Sequence, residues 1–213
     1  MELFTAEDFR VFDIQGFNER MTAILTRIRP KLTSIGEELA PRVSEIVDVP
    51  LYVHVAKHAR RTVNPPDDTW AALGANARGY KMDVHFKVAI SRHCVRFLFE
   101  VGPEYYAKAD WKKEWQREFK SISDALKSNK SLAWFKNEHD EGPAAAISAL
   151  APADLKKLGD ELTRRKDGQL VFGRRVDWAD FVDWKPKQVE RAALETFKPL
   201  APLFDIYAAR VLS

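Results

Sequence analysis

The sequence predicts a single α+β domain over residues 1–213, built on a largely antiparallel sheet of about five strands with helices packed mainly on one face. Three observations predict it. Apolar residues recur at helical spacing near both ends of the chain, while central runs alternate apolar and polar residues with the period of two of a half-buried strand. These segments do not alternate regularly enough for a doubly wound parallel sheet. At 213 residues, 46% apolar and 31% charged, the chain can bury a substantial core in one domain without disulfides or metals.

The first helix starts at Thr5, whose side chain can cap free amides, with Asp8 at the helix-positive end and Phe4 stapled onto Phe9; Gly16 ends it. Met21, Ile24, Leu25 and Ile28 then keep helical spacing, and Leu32, Ile35, Leu39, Val43 and Ile46 continue it. Pro30 and Pro41 each remove an amide donor and either kink one long helix or separate two, so two or three helical pieces are expected before Asp48. Leu51 to His58 alternates as a strand. Pro65 and Pro66 follow, and Asp67 or Asp68 can cap a short helix from about Thr69 to Asn76 with Trp70, Leu73 and Ala77 inward. Gly79 suits a turn with positive φ.

Val84 to Ser91 and Cys94 to Val101 alternate again, and the short link between them predicts an antiparallel hairpin. Trp111 to Lys127 is an amphipathic helix, Leu132 to Asn137 a fourth strand, and Ala144 to Leu150 a short helical turn. A helix begins at Pro152. Gln169 to Val176 is the fifth strand, and the chain ends in helix from Pro186, broken near Pro199 and Pro202.

Cys94 is the only cysteine, so no intramolecular disulfide forms and an oxidising compartment gains no support. The start MELFTAEDF has neither a basic nor an apolar leader region, and no run approaches the roughly 20 apolar residues of a membrane helix. The expectation is a cytoplasmic protein without a membrane partner. No Walker loop, dinucleotide fingerprint, nucleophile elbow or zinc-ligand spacing is present, so the sequence assigns neither a metal nor a cofactor.

Charge is distributed unevenly. Residues 54–87 hold Lys57, Arg60, Arg61, Arg78, Lys81 and Lys87 against Asp67, Asp68 and Asp83, which accounts for the whole formal net charge of +3. Within that stretch, His54, Lys57, His58, Arg60, Arg61, Asn64, Arg78, Lys81 and His85 are the candidate ligand-binding residues. Lysines and arginines suit phosphate or carboxylate oxygens, Asn64 both donates and accepts, and Trp70 or Tyr80 can stack on a base. If the strands share a sheet, its polar face carries His54, His58, His85, Lys87, Arg96 and Glu100 and is at least partly open.

The residues from His54 through AKHARRTVNPP (56–66), Asp68-Thr69-Trp70, RGYKM (78–82) and His85-Phe86 resemble the YktB-like proteins of Gram-positive bacteria, a family of unknown function. Further similarity runs through Arg29-Pro30-Lys31, GEELAP (36–41) and Gly173-Arg174, so the resemblance covers most of the chain; Val84 departs from the proline expected there. The resemblance implies a single α+β domain and supplies no activity, cofactor or catalytic residue.

Three functional readings follow from the residues. The first is binding of an anionic ligand, a nucleotide or nucleic acid phosphate, at the basic, histidine-bearing surface. The second is a small enzyme in which His58 or His85 moves a proton while arginines hold an anionic substrate. The third is a protein-interaction module without a ligand pocket; against the first stands a solvated basic edge paired locally with Asp67, Asp68 and Asp83, with Trp70 and Tyr80 in the core.

Overall fold

The computed structural model describes residues 1–59 and 61–211, with side chains through residue 209. Helix α1 (Ala6–Phe9) begins as the cap predicts, with the Thr5 amide donating to Asp8 Oδ2 at 2.8 Å and the Phe4 and Phe9 rings 6.3 Å apart. A 3-10 turn (Arg10–Asp13) leads to Gly16, whose φ of 87° favours glycine, and to α2 (Phe17–Ala23). Of the two outcomes open at the prolines, the chain takes one continuous helical run, which corrects the separate pieces expected there. A π turn (Ile24–Ile28) joins α2 to α3 (Arg29–Val47) without interruption, and Pro41 lies inside α3. The wider π turn immediately before Pro30 lets the helix accommodate a residue with no amide to donate.

Strand β1 (Tyr52–Val55) is shorter than the expected Leu51 to His58, because His58 takes a left-handed φ of 50° and turns the chain away. The expected helix over Thr69–Asn76 is instead strand β2 (Asp68–Gly74), which is buried on both faces. A strand covered on both sides loses its alternation, so Trp-Ala-Ala-Leu carried no period to read. Gly79 does not adopt a positive φ; the turn there closes through the Gly79 amide donating to the Asn76 carbonyl. Strands β3 (His85–Ser91) and β4 (Cys94–Val101) form the predicted hairpin, with Ile90 opposite Val95.

The amphipathic stretch at 111–127 divides into α4 (Lys108–Arg117) and α5 (Phe119–Lys127). After β5 (Ala133–Phe135) come the two-residue β6 (Ala145–Ala146), a 3-10 turn (Ile147–Ala149), α6 (Pro152–Arg164) and β7 (Leu170–Asp177). The chain closes with α7 (Trp178–Phe181), α8 (Pro186–Phe197), a 3-10 turn (Lys198–Leu200) and α9 (Ala201–Val211).

Among the described residues the sheet has seven strands, not five, in the order β1-β2-β3-β4-β7-β5-β6, and every neighbouring pair is antiparallel. The unforeseen strands are β2 and β6. The helices pack on the face made by Phe86, Val88, Phe97, Phe99 and Phe172, where the Phe86 ring meets Phe197 at 5.0 Å and Phe204 at 5.6 Å. Trp115 stacks 6.0 Å from Phe172 and donates its indole N–H to the Lys156 carbonyl, tying α4 to α6 and to the sheet. At Gly173 an added Cβ would lie 2.0 Å from the Phe97 carbonyl, so β7 can sit against β4 here only without a side chain. No helix among the described residues is long and apolar enough to cross a membrane.

Candidate functional site

The second face of the sheet takes its character from alternation in β2, β3 and β4. Asp68 and Trp70 on β2, His85 and Lys87 on β3, and Arg96 and Glu100 on β4 all project there, as the register of the strands requires. The centre of this face is closed, so the face expected to be at least partly open is open only toward β1. Lys87 and Arg96 are 0% exposed and Glu100 is 2% exposed.

The covering element is the loop between β5 and β6. Arg96 Nη1 donates to the carbonyls of Glu138 (2.7 Å) and Asp140 (2.9 Å), and Arg96 Nη2 donates to Asp68 Oδ2 at 2.7 Å. His139 Nδ1 lies 3.0 Å from Asp68 Oδ1, and Lys87 is paired with both Glu138 and Glu100, the latter at 3.2 Å. His85 donates from Nδ1 to the Asp83 carbonyl and places Nε2 3.2 Å from Glu100 Oε2, out of line for a hydrogen bond.

Burial alone would favour neutral forms in this network, and the neighbours reverse that. Burial opposes the Glu100 carboxylate, but Lys87 and His85 hold it well below the usual carboxylate range. Burial likewise opposes the Lys87 ammonium, yet Glu100 and Glu138 keep it protonated above its ordinary value. For Asp68 the hydrogen bond from His139 and the charge of Arg96 overcome desolvation and lower its pKa. Each charge of this network already faces its opposite, and among the described residues the buried side-chain atoms without a hydrogen-bond partner are Arg96 Nε and His85 Nε2.

Toward β1 the same face opens into a groove of about 1010 Å³. One wall is the exposed side of α3 at Arg29, Thr33 and Glu37, the other is the loop at 76–83, and the edge strand β1 with the chain that follows it runs between them. Trp70 forms the inner end. Its Nε1 donates to Tyr80 Oη at 2.9 Å, and Lys87 Nζ sits 4.1 Å from its ring centroid, so the indole is already held from the side and from one face. This leaves base stacking on Trp70 without support.

Of the residues singled out in the sequence, His54, Lys57, His58, Arg61, Arg78 and Lys81 all line this groove. Asn64 is exposed and lies outside the groove lining, and Arg60 lies outside the described residues. His85 and Lys87 sit beneath the groove, in the paired network. The histidines reach one neighbourhood but are held apart by aromatic rings. His54 donates from Nε2 to the Asn76 carbonyl at 2.9 Å and lies 5.6 Å from Tyr80; His85 lies 4.8 Å from Tyr80 on another side; His58 meets the edge of Trp70 at 5.4 Å. Among the described residues no three His, Cys, Asp or Glu side chains gather as a metal-ligand set.

His58 and His139 flank Trp70, His139 with its ring 5.6 Å from the indole. Burial pushes the His58 pKa down to about 4, against the pull of Asp68 and with the help of Arg61. The hydrogen bond to Asp68 raises that of His139. Near neutral pH His58 is therefore an uncharged imidazole that is hydrogen-bonded to Thr69 Oγ1 at 2.9 Å. His139 and Glu138 were missed in the sequence: they sit in a loop about 50 residues away, with no spacing that ties them to His85 or Lys87.

The acids of the basic segment do not neutralise its surface. Asp67 pairs with Arg20 (2.9 Å) and Asp68 with Arg96 and His139, while Asp83 is buried. Lys81 meets Glu104 at 3.5 Å, whereas Arg29, Lys57, Arg61 and Arg78 have no carboxylate within ion-pair distance among the described residues.

A family profile described as a domain of unknown function (DUF1054) matches residues 4–204. A UPF0637 protein of Macrococcus caseolyticus is 34% identical over 201 residues, covering 94% of this chain and 97% of that protein. Others from Bacillus mycoides (35% over 208 residues; 97% and 98% covered) and Oceanobacillus iheyensis (33% over 206 residues; 97% of each) are similar throughout their length. These are Gram-positive bacteria, as the YktB-like resemblance implied, and the match covers nearly the whole chain. The chain therefore belongs to the DUF1054 family, the UPF0637 proteins, for which no function is established.

Proposed function

We propose that the groove beside β1 binds an anionic ligand, one carrying phosphate or carboxylate groups. A single observation carries this reading: of the cations that line the groove, Arg29, Lys57, Arg61 and Arg78 have no carboxylate within ion-pair distance among the described residues, only Lys81 being paired, with Glu104, while Asp67 and Asp68 are engaged elsewhere. A guanidinium or ammonium left without an internal partner at the wall of a concavity is available to an external oxyanion. The engaged indole of Trp70 supports a ligand read by charge and shape over one read by base stacking.

The test is binding of tripolyphosphate, a nucleoside triphosphate and single-stranded RNA, measured at several salt concentrations on the wild type and on a Lys57→Ala, Arg61→Ala, Arg78→Ala variant. Affinity that falls with salt and drops roughly tenfold or more in the variant, with folding unchanged, supports the reading. Equal affinity in the two proteins would sink it.

Acid–base chemistry on the bound anion is the second reading. The observation that favours it is the pair of imidazoles flanking Trp70, one driven toward its neutral form and the other toward its charged form. Turnover of a phosphate ester that is abolished by His58→Ala, with binding retained, would establish it.

A further inference from the structure

The free edge of β1 provides a second kind of recognition in the same groove. The Ala56 amide donates to the Trp70 carbonyl at 2.9 Å, which fixes the parity of the β1–β2 ladder. The even residues Tyr52, His54 and Ala56 bond inward to β2, and the odd residues point their N–H and C=O groups away from the sheet. Among these, the Leu51 amide is taken by Ser44 Oγ of α3 at 2.9 Å. The amides of Val53 and Val55 have no partner among the described residues, and both residues line the groove.

The walls on either side of that edge differ in chemistry. On the α3 side, Gly36 packs so closely that an added Cβ would meet Val53 at 2.7 Å, and Val53 and Val55 present partly buried aliphatic surface there. On the opposite side stand Arg78 and Lys81, with Lys57 and Arg61 where the chain leaves β1. A shallower depression of about 710 Å³ continues along α3 and β1 past Pro41, sharing Glu37 and Val53 with the first, so the trough runs the length of the strand.

We propose that the groove receives an extended acidic peptide segment of another protein, which pairs with Val53 and Val55 as an eighth strand. This rests on the anion-binding reading and names its ligand. Alternate side chains of such a strand face opposite walls, so apolar residues meet the α3 side and carboxylates meet Arg78 and Lys81. Charge complementarity selects acidic residues at the end lined by Lys57, Arg61 and Arg78, the other end being lined by Glu37, Glu45 and Asp48, and the unpaired edge amides require an extended backbone, which a phosphate ligand does not supply.

The test uses a fluorescein-labelled octapeptide of alternating valine and glutamate, followed by anisotropy. The added strand runs antiparallel to β1, as every neighbouring pair in this sheet does, so residues directly opposite Val53 and Val55 share their side of the sheet and the valines of the bound peptide carry the amides that face β1. A peptide N-methylated at the valines loses those donors and is expected to bind roughly tenfold or more weakly, while one N-methylated at the glutamates binds like the parent. Val53→Pro removes an outward amide without removing a β1–β2 bond and is expected to give a similar loss. The methylated peptides keep the test valid if that variant misfolds.

Equal affinity of the two methylated peptides overturns the strand pairing. Binding of tripolyphosphate or RNA, lost in the Lys57, Arg61 and Arg78 variant, with no binding of the octapeptide overturns this inference and leaves the anion site standing. If none of the probes binds, both readings fall.

Discussion

The two halves of the sheet's second face hold much the same kinds of side chain and treat them in opposite ways. At the centre, over β3 and β4, Lys87, Arg96, Glu100 and Asp68 are sealed under the 136–143 loop, and each has an oppositely charged neighbour. At the edge, beside β1, Arg29, Lys57, Arg61 and Arg78 line a groove and have no carboxylate within ion-pair distance among the described residues. A cation's chemical meaning here comes from what covers it. Under the loop a cation holds the fold together, and beside β1 it is available to a ligand.

The largest way to break this comparison is to remove one member of the buried set. Lys87→Met leaves the buried Glu100 without its cation and with His85 still beside it, while the partly exposed Glu138 keeps His139. Removing one partner of a buried pair costs about 3–5 kcal/mol, because the other charge stays behind. Denaturant unfolding should show a loss of that size. A loss below about 1 kcal/mol would mean that the centre is wetter than its burial indicates.

The matching substitution at the edge should do almost nothing to the fold. Lys57→Ala with Arg61→Ala is expected to change stability by no more than about 0.5 kcal/mol, since both side chains are exposed and neither pairs with a carboxylate among the described residues. The same variant should lose affinity for tripolyphosphate. Unfolding of this variant would place these cations with Lys87, as structural groups, and dissolve the distinction between the regions.

The sequence showed some of this arrangement and concealed the rest, for reasons that lie in particular residues. The β3–β4 hairpin was legible because its core face is aromatic and aliphatic while the other face carries His85, Lys87, Arg96 and Glu100, which preserves a period of two. The same polarity misled: four ionisable side chains on one face read as solvated, when in fact they are buried, Lys87 paired with Glu100 and Glu138 and Arg96 with Asp68 and the carbonyls of the covering loop. Strand β2 was concealed because Ala72 and Trp70 are buried on the second face as Ala71 and Leu73 are on the first, and because Asp67-Asp68 resembles a helix cap. Asp68 instead projects to Arg96. The groove's cations were found from net charge alone, but its depth depends on α3 overhanging β1, and its neighbour His139 arrives from a distant loop; neither leaves a local pattern.

The finest test of the boundary between the regions is the pH dependence of stability, because its two sides place a histidine against Trp70 with opposite consequences. His58 titrates at about 4 when folded and near 6.5 when unfolded, so the unfolded chain takes up its proton first. The stability attached to it is complete above pH 6.5 and is lost as pH falls toward 4. His139 runs the other way. Its folded pKa is raised, so its contribution is complete below about pH 6.5 and is lost as pH rises through the folded value. In melting temperatures recorded between pH 4 and 8, His58→Ala should flatten the acid-side decline, and His139→Ala should flatten the decline toward neutral and alkaline pH. Should both variants track the wild-type profile across that range, the two imidazoles share one environment and the line between the sealed centre and the open edge is not where Trp70 stands.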